Sequence, residues 1–226
     1  MKLYFLDPTG RSAINVRRLR KIGYDTSRII AQDVKQSVQT LIVLGNGSPE
    51  DKVLGILSFH LNGVNIVGMV KPTQSHLGAL DQLKTYVELK FEKIMFIIDQ
   101  DDLTLNFLFD EAVKRLQAIG ISTRQQETSE ELDRVRAYQC SFSNKTFDIV
   151  IVASGLEESR TRKHTIEDHL LCAAGIDNVE NSKDSWTCLN SDDQEDVLEL
   201  FKDRDLVEVL FPQHIYGCKF LETAHP

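Results

Sequence analysis

The stretch that decides the fold is Lys93-Ile94-Met95-Phe96-Ile97-Ile98-Asp99-Gln100-Asp101-Asp102. Its apolar part does not alternate between apolar and polar residues, so both faces of the segment are suited to burial. A short continuous apolar run that ends at once in acidic residues is typical of a central parallel strand covered by helices on both sides. The sequence therefore predicts a buried strand over residues 93–98, followed by a cluster of aspartates.

Strand–helix units surround this run. Before it, residues 40–44 and 64–70 have the composition of strands, and apolar residues at helical spacing follow each of them. After it, Thr104 is placed to cap a helix that Gly120 ends. Strands that alternate with helices of this length form parallel sheets with right-handed crossovers. The predicted fold class is therefore α/β, a central mostly parallel sheet flanked by helices. The apolar helical positions before the run are Val53, Leu54, Leu57, Leu61, Leu77, Leu80, Leu83 and Val87.

The pattern weakens in the second half of the chain. Residues 122–133 are polar, and we predict a loop there. Thr165 is a predicted helix cap, as is one of the polar residues at 191–193. Four further elements are predicted: strands over residues 135–142 and 147–152, and helices over residues 165–174 and 191–201.

Charge divides the chain into three segments. The net charge is −8, and residues 177–208 carry eleven acids against three bases, whereas residues 1–37 carry eight bases against three acids. We predict an N-terminal basic extension (1–37), an α/β core (38–175) and an acidic helical C-terminal subdomain (176–226). The basic segment is suited to nucleic acid, and either charged segment is suited to a protein partner. Such runs are also typical of solvated helix faces.

Composition is that of an ordinary globular protein. Hydrophobic residues make up 42% of the chain and charged residues 27%. No stretch approaches the roughly 18 apolar residues that a membrane helix needs, and residues 1–10 lack the apolar region of a secretory signal. The four cysteines are widely spaced without a C-x-x-C pair, which argues against a zinc site or a disulfide framework. We expect a cytoplasmic protein without a membrane partner.

Ligands of open parallel sheets bind outside the carboxyl ends of the strands. In this chain the rule selects three loops, at residues 45–50, 71–76 and 99–102. Strand alternation places Asp99 and Asp101 on one side, where their like charges repel unless a cation lies between them. Carboxylate oxygens suit Mg²⁺ or Mn²⁺. The alternative is that the aspartates after Gln100 only cap the next helix.

Three motifs occur in the order of one known fold. The motifs are a strand entering a glycine-containing turn and helix, Leu41-Ile42-Val43-Leu44-Gly45-Asn46-Gly47-Ser48-Pro49-Glu50; a strand ending in Asp-x-Asp, Ile97-Ile98-Asp99-Gln100-Asp101; and a late helix start, Thr165-Ile166-Glu167-Asp168-His169-Leu170-Leu171. On these motifs, residues 40–175 resemble the TOPRIM fold of topoisomerases, bacterial primases and overcoming-lysogenization-defect nucleases. More narrowly, they resemble its small stand-alone members of unassigned function.

The resemblance implies a Mg²⁺-dependent, nuclease-like protein that acts on nucleic-acid phosphodiesters in defence or repair. In TOPRIM enzymes a Glu-Gly pair after the first strand works with Asp-x-Asp to bind Mg²⁺ and move a proton. This chain has Asn46 before Gly47, and an amide coordinates but cannot act as a base. The candidate residues are Glu50, Asn46 and Lys71 for catalysis, Asp99, Asp101, Asp102 and Glu167 for the metal, and Arg160, Arg162 and Lys163 for an anionic substrate.

The amide at Asn46 leaves a second function open. Loss of the family glutamate removes the usual acid–base partner and affects metal binding less than turnover. The alternative is a catalytically lapsed TOPRIM-like module that serves protein–protein interaction through residues 1–37 or 177–208. Neither the choice between DNA and RNA nor the oligomeric state follows from the sequence.

Overall fold

A seven-stranded sheet organises the protein. The structure is a computed structural model that describes residues 1–32, 34, 37–45, 49–74, 76–127, 132–156, 161–176 and 179–223. The strand order is β1-β3-β2-β4-β7-β6-β5. The strands are β1 (Lys2–Phe5), β2 (Thr40–Leu44), β3 (Ile66–Val70), β4 (Lys93–Asp99), β5 (Ser122–Gln125), β6 (Val135–Phe142) and β7 (Lys145–Ser154).

Helices cover both faces of the sheet. Two short 3-10 helices, Leu19–Ile22 and His76–Gln82, adjoin α-helices. The α-helices are α1 (Arg11–Arg18), α2 (Thr26–Ile29), α3 (Glu50–Leu61), α4 (Leu83–Glu88), α5 (Leu105–Ala118), α6 (Ile166–Ala173), α7 (Ser182–Cys188), α8 (Ser191–Leu200), α9 (Arg204–Leu210) and α10 (Pro212–Glu222). Within the residues described, no helix has the length and hydropathy that a membrane crossing requires.

Strand β4 lies at the centre of the sheet. It pairs in parallel with β2 on one side and with β7 on the other, and all of its residues are buried. Met95 and Ile97 belong to the hydrophobic core on one face, while Ile94, Phe96 and Ile98 belong to the core on the other. The predicted α/β fold with a mostly parallel sheet is therefore confirmed. Among the described strands, the antiparallel pairings are those of β6 with β5 and with β7.

Three local predictions differ from the structure in part. Part of the predicted 122–133 loop is β5, an edge strand. Its residues are polar and mostly exposed, so the sequence has no alternating apolar pattern there. The helix predicted after β3 begins as the 3-10 helix His76–Gln82 and becomes α-helical only in α4. The cap of α8 is Asn190, whose side chain accepts from the N–H groups of Asp192 and Asp193.

Both charged segments pack into the fold. Strand β1 extends the sheet in parallel beside β3, and α1 lies so close to α3 that a Cβ at Gly55 would stand 3.1 Å from Val16 Cγ1. At the other end of the chain, Trp186 and Phe201 share one hydrophobic core with the central strands. The sequence patterns did not predict β1, and residues 1–37 and 176–226 share their core with the sheet.

Helix α10 depends on a glycine where it crosses β4 and β7. A Cβ at Gly217 would lie 2.7 Å from Met95 Cε and 2.8 Å from Val152 Cγ2. We predict that Gly217→Val lowers the free energy of unfolding by about 1–3 kcal/mol through overpacking. Urea denaturation measures the loss, with Lys219→Val on the exposed side of the same helix as control. An equal loss in both variants would contradict this close packing.

Candidate functional site

The carboxyl ends of five strands that pair in parallel lie at one edge of the sheet. Strands β1, β2, β3, β4 and β7 end there, and residues that follow several of them lie near the last residue of β4, Asp99. This is the edge at which open α/β sheets bind ligands. The side chains that surround Asp99 come from α3, α6 and α7 and from the loop after β3.

Asp99 is the centre of this site because β4 delivers it into a buried position. Its side chain is 7% exposed. The Oδ1 atom accepts a hydrogen bond from the Ile166 N–H at 3.0 Å, and Oδ2 pairs with Lys183 Nζ at 3.2 Å. Burial raises the pKa of the Asp99 carboxyl, and the Lys183 charge opposes that rise. Burial therefore disfavours the ionised form of Asp99, and the contacts with Ile166 and Lys183 favour it.

Glu50 approaches Asp99 from the first turn of α3. It is 2% exposed, and burial raises its pKa to about 8, with the Asp99 charge as the next contributor. Within the described residues, its Oε1 has no hydrogen-bond partner. A Cβ at Gly45 would lie 3.0 Å from this oxygen, so glycine at the end of β2 leaves the room that the carboxylate occupies.

Glu167 reaches the same centre from the start of α6. It is 2% exposed, its Oε2 has no hydrogen-bond partner among the described residues, and burial followed by the Asp99 charge raises its pKa. The neighbouring Asp168 has a structural role instead. Its carboxylate completes the capping box with Thr165 and accepts from the hydroxyl of Ser182. Glu50, Asp99 and Glu167 are therefore three buried carboxylates, which we call the acid cluster.

Two lysines offset part of this negative charge. Lys71, after β3, lies 3.3 Å from Glu50 Oε2 and 3.5 Å from Asp51 Oδ1. Asp51 also accepts from the buried Asn15 side chain at 3.0 Å, which ties α1 to the site. Lys183, whose side chain is 47% exposed, provides the second positive charge. One ammonium group, that of Lys71, thus lies beside the buried Glu50, and the other, that of the half-exposed Lys183, lies beside Asp99.

The two later aspartates differ from Asp99. Asp101 has a left-handed backbone (φ 53°) and forms a two-way backbone bridge with His164 at 2.9 Å in each direction. Its carboxylate is 3.7 Å from His76 Nε2, and its charge contributes to the raised pKa of Asp99. Asp102 is exposed. Asp101 therefore borders the acid cluster, whereas Asp102 turns toward solvent.

The remaining candidate residues are not brought into the cluster by any described contact. Arg162 and Lys163 are exposed. Arg160 and Asn46 lie outside the described residues, so their predicted roles stay predictions. Sequence patterns did not point to Lys183, since it lies 84 positions from Asp99 in an acidic segment. Its one sequence signal is that residues 177–208 contain only three bases.

Buried histidines behind the site fix the end of β7. His169 Nε2 accepts from the Gly155 N–H at 3.0 Å, so Nδ1 carries the proton that bonds to the Leu210 carbonyl. Burial lowers the pKa of His169 to about 3. His214 is also buried, and its Nε2 contacts the Ser154 hydroxyl at 3.1 Å. These neutral imidazoles hold α9 and α10 against the strand and do not serve as proton carriers near pH 7.

The donor set fits a hard divalent cation bound with water. Within the described part of the chain, no three Asp, Glu, His or Cys side chains stand close enough to enclose an ion. Mg²⁺, however, usually binds through one or two carboxylates, several waters and the phosphates of a substrate. The buried oxygens Glu50 Oε1 and Glu167 Oε2, which have no hydrogen-bond partner there, flank Asp99. The chemistry of these groups therefore fits Mg²⁺ or Mn²⁺ in an open site.

Comparison with family models, with curated protein sequences and with solved structures gives no match to this chain. The fold class therefore rests on the sheet itself, and the TOPRIM resemblance stays a prediction.

The raised pKa of Glu50 predicts a pH-dependent stability. Its folded pKa of about 8 lies above the usual 4.5, so the folded state binds the proton more tightly and the resulting stabilisation is lost as pH rises from 4.5 through 8. We predict that Glu50→Gln flattens this decline and, at pH 9, raises Tm by roughly 2–4 °C for each kcal/mol gained. Thermal unfolding across pH measures it, with exposed Glu88→Gln as control. Parallel pH profiles for wild type and Glu50→Gln would contradict a penalty at Glu50.

Proposed function

We propose that this chain is a Mg²⁺- or Mn²⁺-dependent, TOPRIM-like protein that cleaves nucleic-acid phosphodiesters. One observation carries the proposal: Glu50, Asp99 and Glu167 are three buried carboxylates at the carboxyl edge of the sheet, and Glu50 Oε1 and Glu167 Oε2 have no hydrogen-bond partner among the described residues. Like charges held together in this way are stabilised by a divalent cation or by protonation. Perturbed carboxylates in such a position are typical of functional sites.

Asp99 and Glu167 are the proposed cation ligands, with Asp101 at the outer rim and Glu50 beside them. When bound, the cation would supply positive charge that polarises a phosphoryl oxygen. The chain's own contribution is to hold the carboxylates in place beforehand. The Ile166 N–H fixes Asp99 Oδ1, and Gly45 keeps space open beside Glu50 Oε1.

The two lysines are proposed to bind the phosphate. Lys183 is half-exposed and reaches Asp99 from α7, so its ammonium can turn from the carboxylate to an incoming phosphoryl oxygen. Lys71 is more deeply placed, beside Glu50 and Asp51. Positive groups at such positions stabilise the charge that develops on the phosphoryl oxygens during displacement.

Glu50 is the proposed acid–base residue. With a pKa of about 8, its carboxyl carries a proton at neutral pH in the absence of a cation and titrates close to the working range. A general acid–base group is most effective when its pKa lies near the operating pH. Glu50 therefore supplies the carboxyl that the chain lacks at Asn46.

A second function is favoured by a different feature of the same site. Lys183 occupies one oxygen of Asp99 with its own positive charge, and no closed three-ligand set exists among the described residues. A protein that had lost its cation would gain from such a substitute charge. The alternative is thus a catalytically lapsed module in which the lysines replace the metal and the charged segments bind a protein partner.

Cleavage assays separate these functions. Wild type is incubated with supercoiled plasmid and with labelled single-stranded DNA and RNA, in Mg²⁺, Mn²⁺ or EDTA. We predict cation-dependent cleavage that falls roughly 100-fold or more in Asp99→Asn, the scale of losing a group that stabilises transition-state charge. Asp110→Asn, an exposed acid on α5, is the matched control and retains wild-type rates. Cleavage unchanged by Asp99→Asn would contradict the proposal, and inactivity of wild type in every buffer would favour the lapsed module.

A further inference from the structure

The exposed side of α1 carries a concentration of positive charge. Ile14 is the one exposed apolar side chain there, because Ala13 and Val16 face α3 and are buried. A shallow concavity of about 500 Å³ is lined by Ile14 and four of the bases. We call the exposed bases of α1 and of the following 3-10 helix the α1 basic face: Arg11, Arg17, Arg18, Arg20 and Lys21.

These bases have few partners within the protein. Arg17 donates to the Pro8 carbonyl at 2.9 Å. Among the described residues, the other members of the α1 basic face form no ion pair. Arg18 also lies near Lys52 of α3, where burial and, to a smaller extent, the Arg18 charge lower the pKa of the Lys52 ammonium. Like charges placed together in the free protein are suited to a polyanionic partner.

The α1 basic face leads to the acid cluster. The N-terminal end of α1 borders a cleft of about 300 Å³ that Arg11, Ser12, Asp51, Lys71 and Thr73 help to line. Lys71 bridges this cleft to Glu50, and the Asn15–Asp51 hydrogen bond fixes α1 beside it. The acids in the cleft have partners of their own, because Asp51 is held by Lys71 and Asn15 and Asp7 accepts from Thr9. Positive charge therefore continues from the surface of α1 to the site.

We propose that the α1 basic face binds the phosphate backbone of a nucleic-acid strand and leads it through the cleft beside Lys71 to the acid cluster. This inference rests on the proposed function and adds to it the surface that holds the strand outside the acid cluster. Repeated phosphates match a row of bases, whereas a single phosphoester would contact only the innermost of them. An anionic membrane is a poorer match, since an interfacial helix needs a broad apolar face and α1 has already buried its own against α3.

Binding is tested without turnover. Fluorescence anisotropy of a labelled 24-nucleotide single strand, in EDTA and at several salt concentrations, is measured for wild type and Arg18→Ala/Lys21→Ala. We predict roughly tenfold weaker binding and a salt slope shallower by about 0.7 for each phosphate that the variant no longer neutralises. The control is Arg124→Ala/Lys114→Ala, which removes two bases remote from α1, on β5 and α5, and keeps wild-type affinity. A charge-preserving Arg18→Lys/Lys21→Arg variant also keeps it, and thermal unfolding verifies that each variant is folded.

The outcomes separate this inference from the proposed function. Equal affinity in wild type and Arg18→Ala/Lys21→Ala overturns the α1 path, as does an equal loss in the control. Binding of wild type to phosphatidylserine vesicles but not to the oligonucleotide also overturns it. If wild type and Arg18→Ala/Lys21→Ala bind the oligonucleotide equally but wild type still hydrolyses bis-p-nitrophenyl phosphate in a cation-dependent reaction, the α1 path is wrong and the proposed function is retained. If binding behaves as predicted and no substrate is cleaved, the path stands and the proposed function fails.

Discussion

Burial of like charge at the carboxyl edge of the sheet is the constraint on which the site depends. Strand β4 is covered on both faces, so its final residue, Asp99, is buried with it. Moving a carboxylate out of water costs several kcal/mol even after the protein relaxes. Two further buried carboxylates, Glu50 and Glu167, face the same centre. The groups that contact Asp99, a backbone N–H and a lysine ammonium, stabilise its negative charge.

The groups that stabilise the buried carboxylates come from distant parts of the chain. A backbone N–H at the start of α6 and the Lys183 ammonium from α7 both bind Asp99. Lys71, in the loop after β3, lies beside Glu50 and Asp51, and through Asp51 and Asn15 the same contacts reach α1. The C-terminal and N-terminal segments are therefore parts of the site's electrostatics as well as of its hydrophobic core. Because these charges are only partly offset, the site is suited to an added cation and to a phosphate.

Sequence patterns were informative where burial or capping leaves a local signature. The central strands and α5, capped by Thr104, could be predicted because continuous apolar runs and helical spacing are local properties. The polar edge strand β5 and the short β1 leave no such signature. Asp99, Glu50 and Glu167 could be named because strand ends and helix starts meet at one edge of a parallel sheet. Lys183 could not, since its position depends on how α7 packs, and that contact spans 84 residues.

The most direct measurement is the number of protons released when a cation binds. Isothermal titration of Mn²⁺ at pH 7, repeated in buffers of different ionisation enthalpy, counts them. Because Glu50 has a pKa of about 8 and a cation beside Asp99 favours its ionised form, we predict release of about one proton per bound ion, abolished in Glu50→Gln and much reduced at pH 9. Binding at pH 7 without proton release, or no binding at all, would contradict a cation site built on the acid cluster.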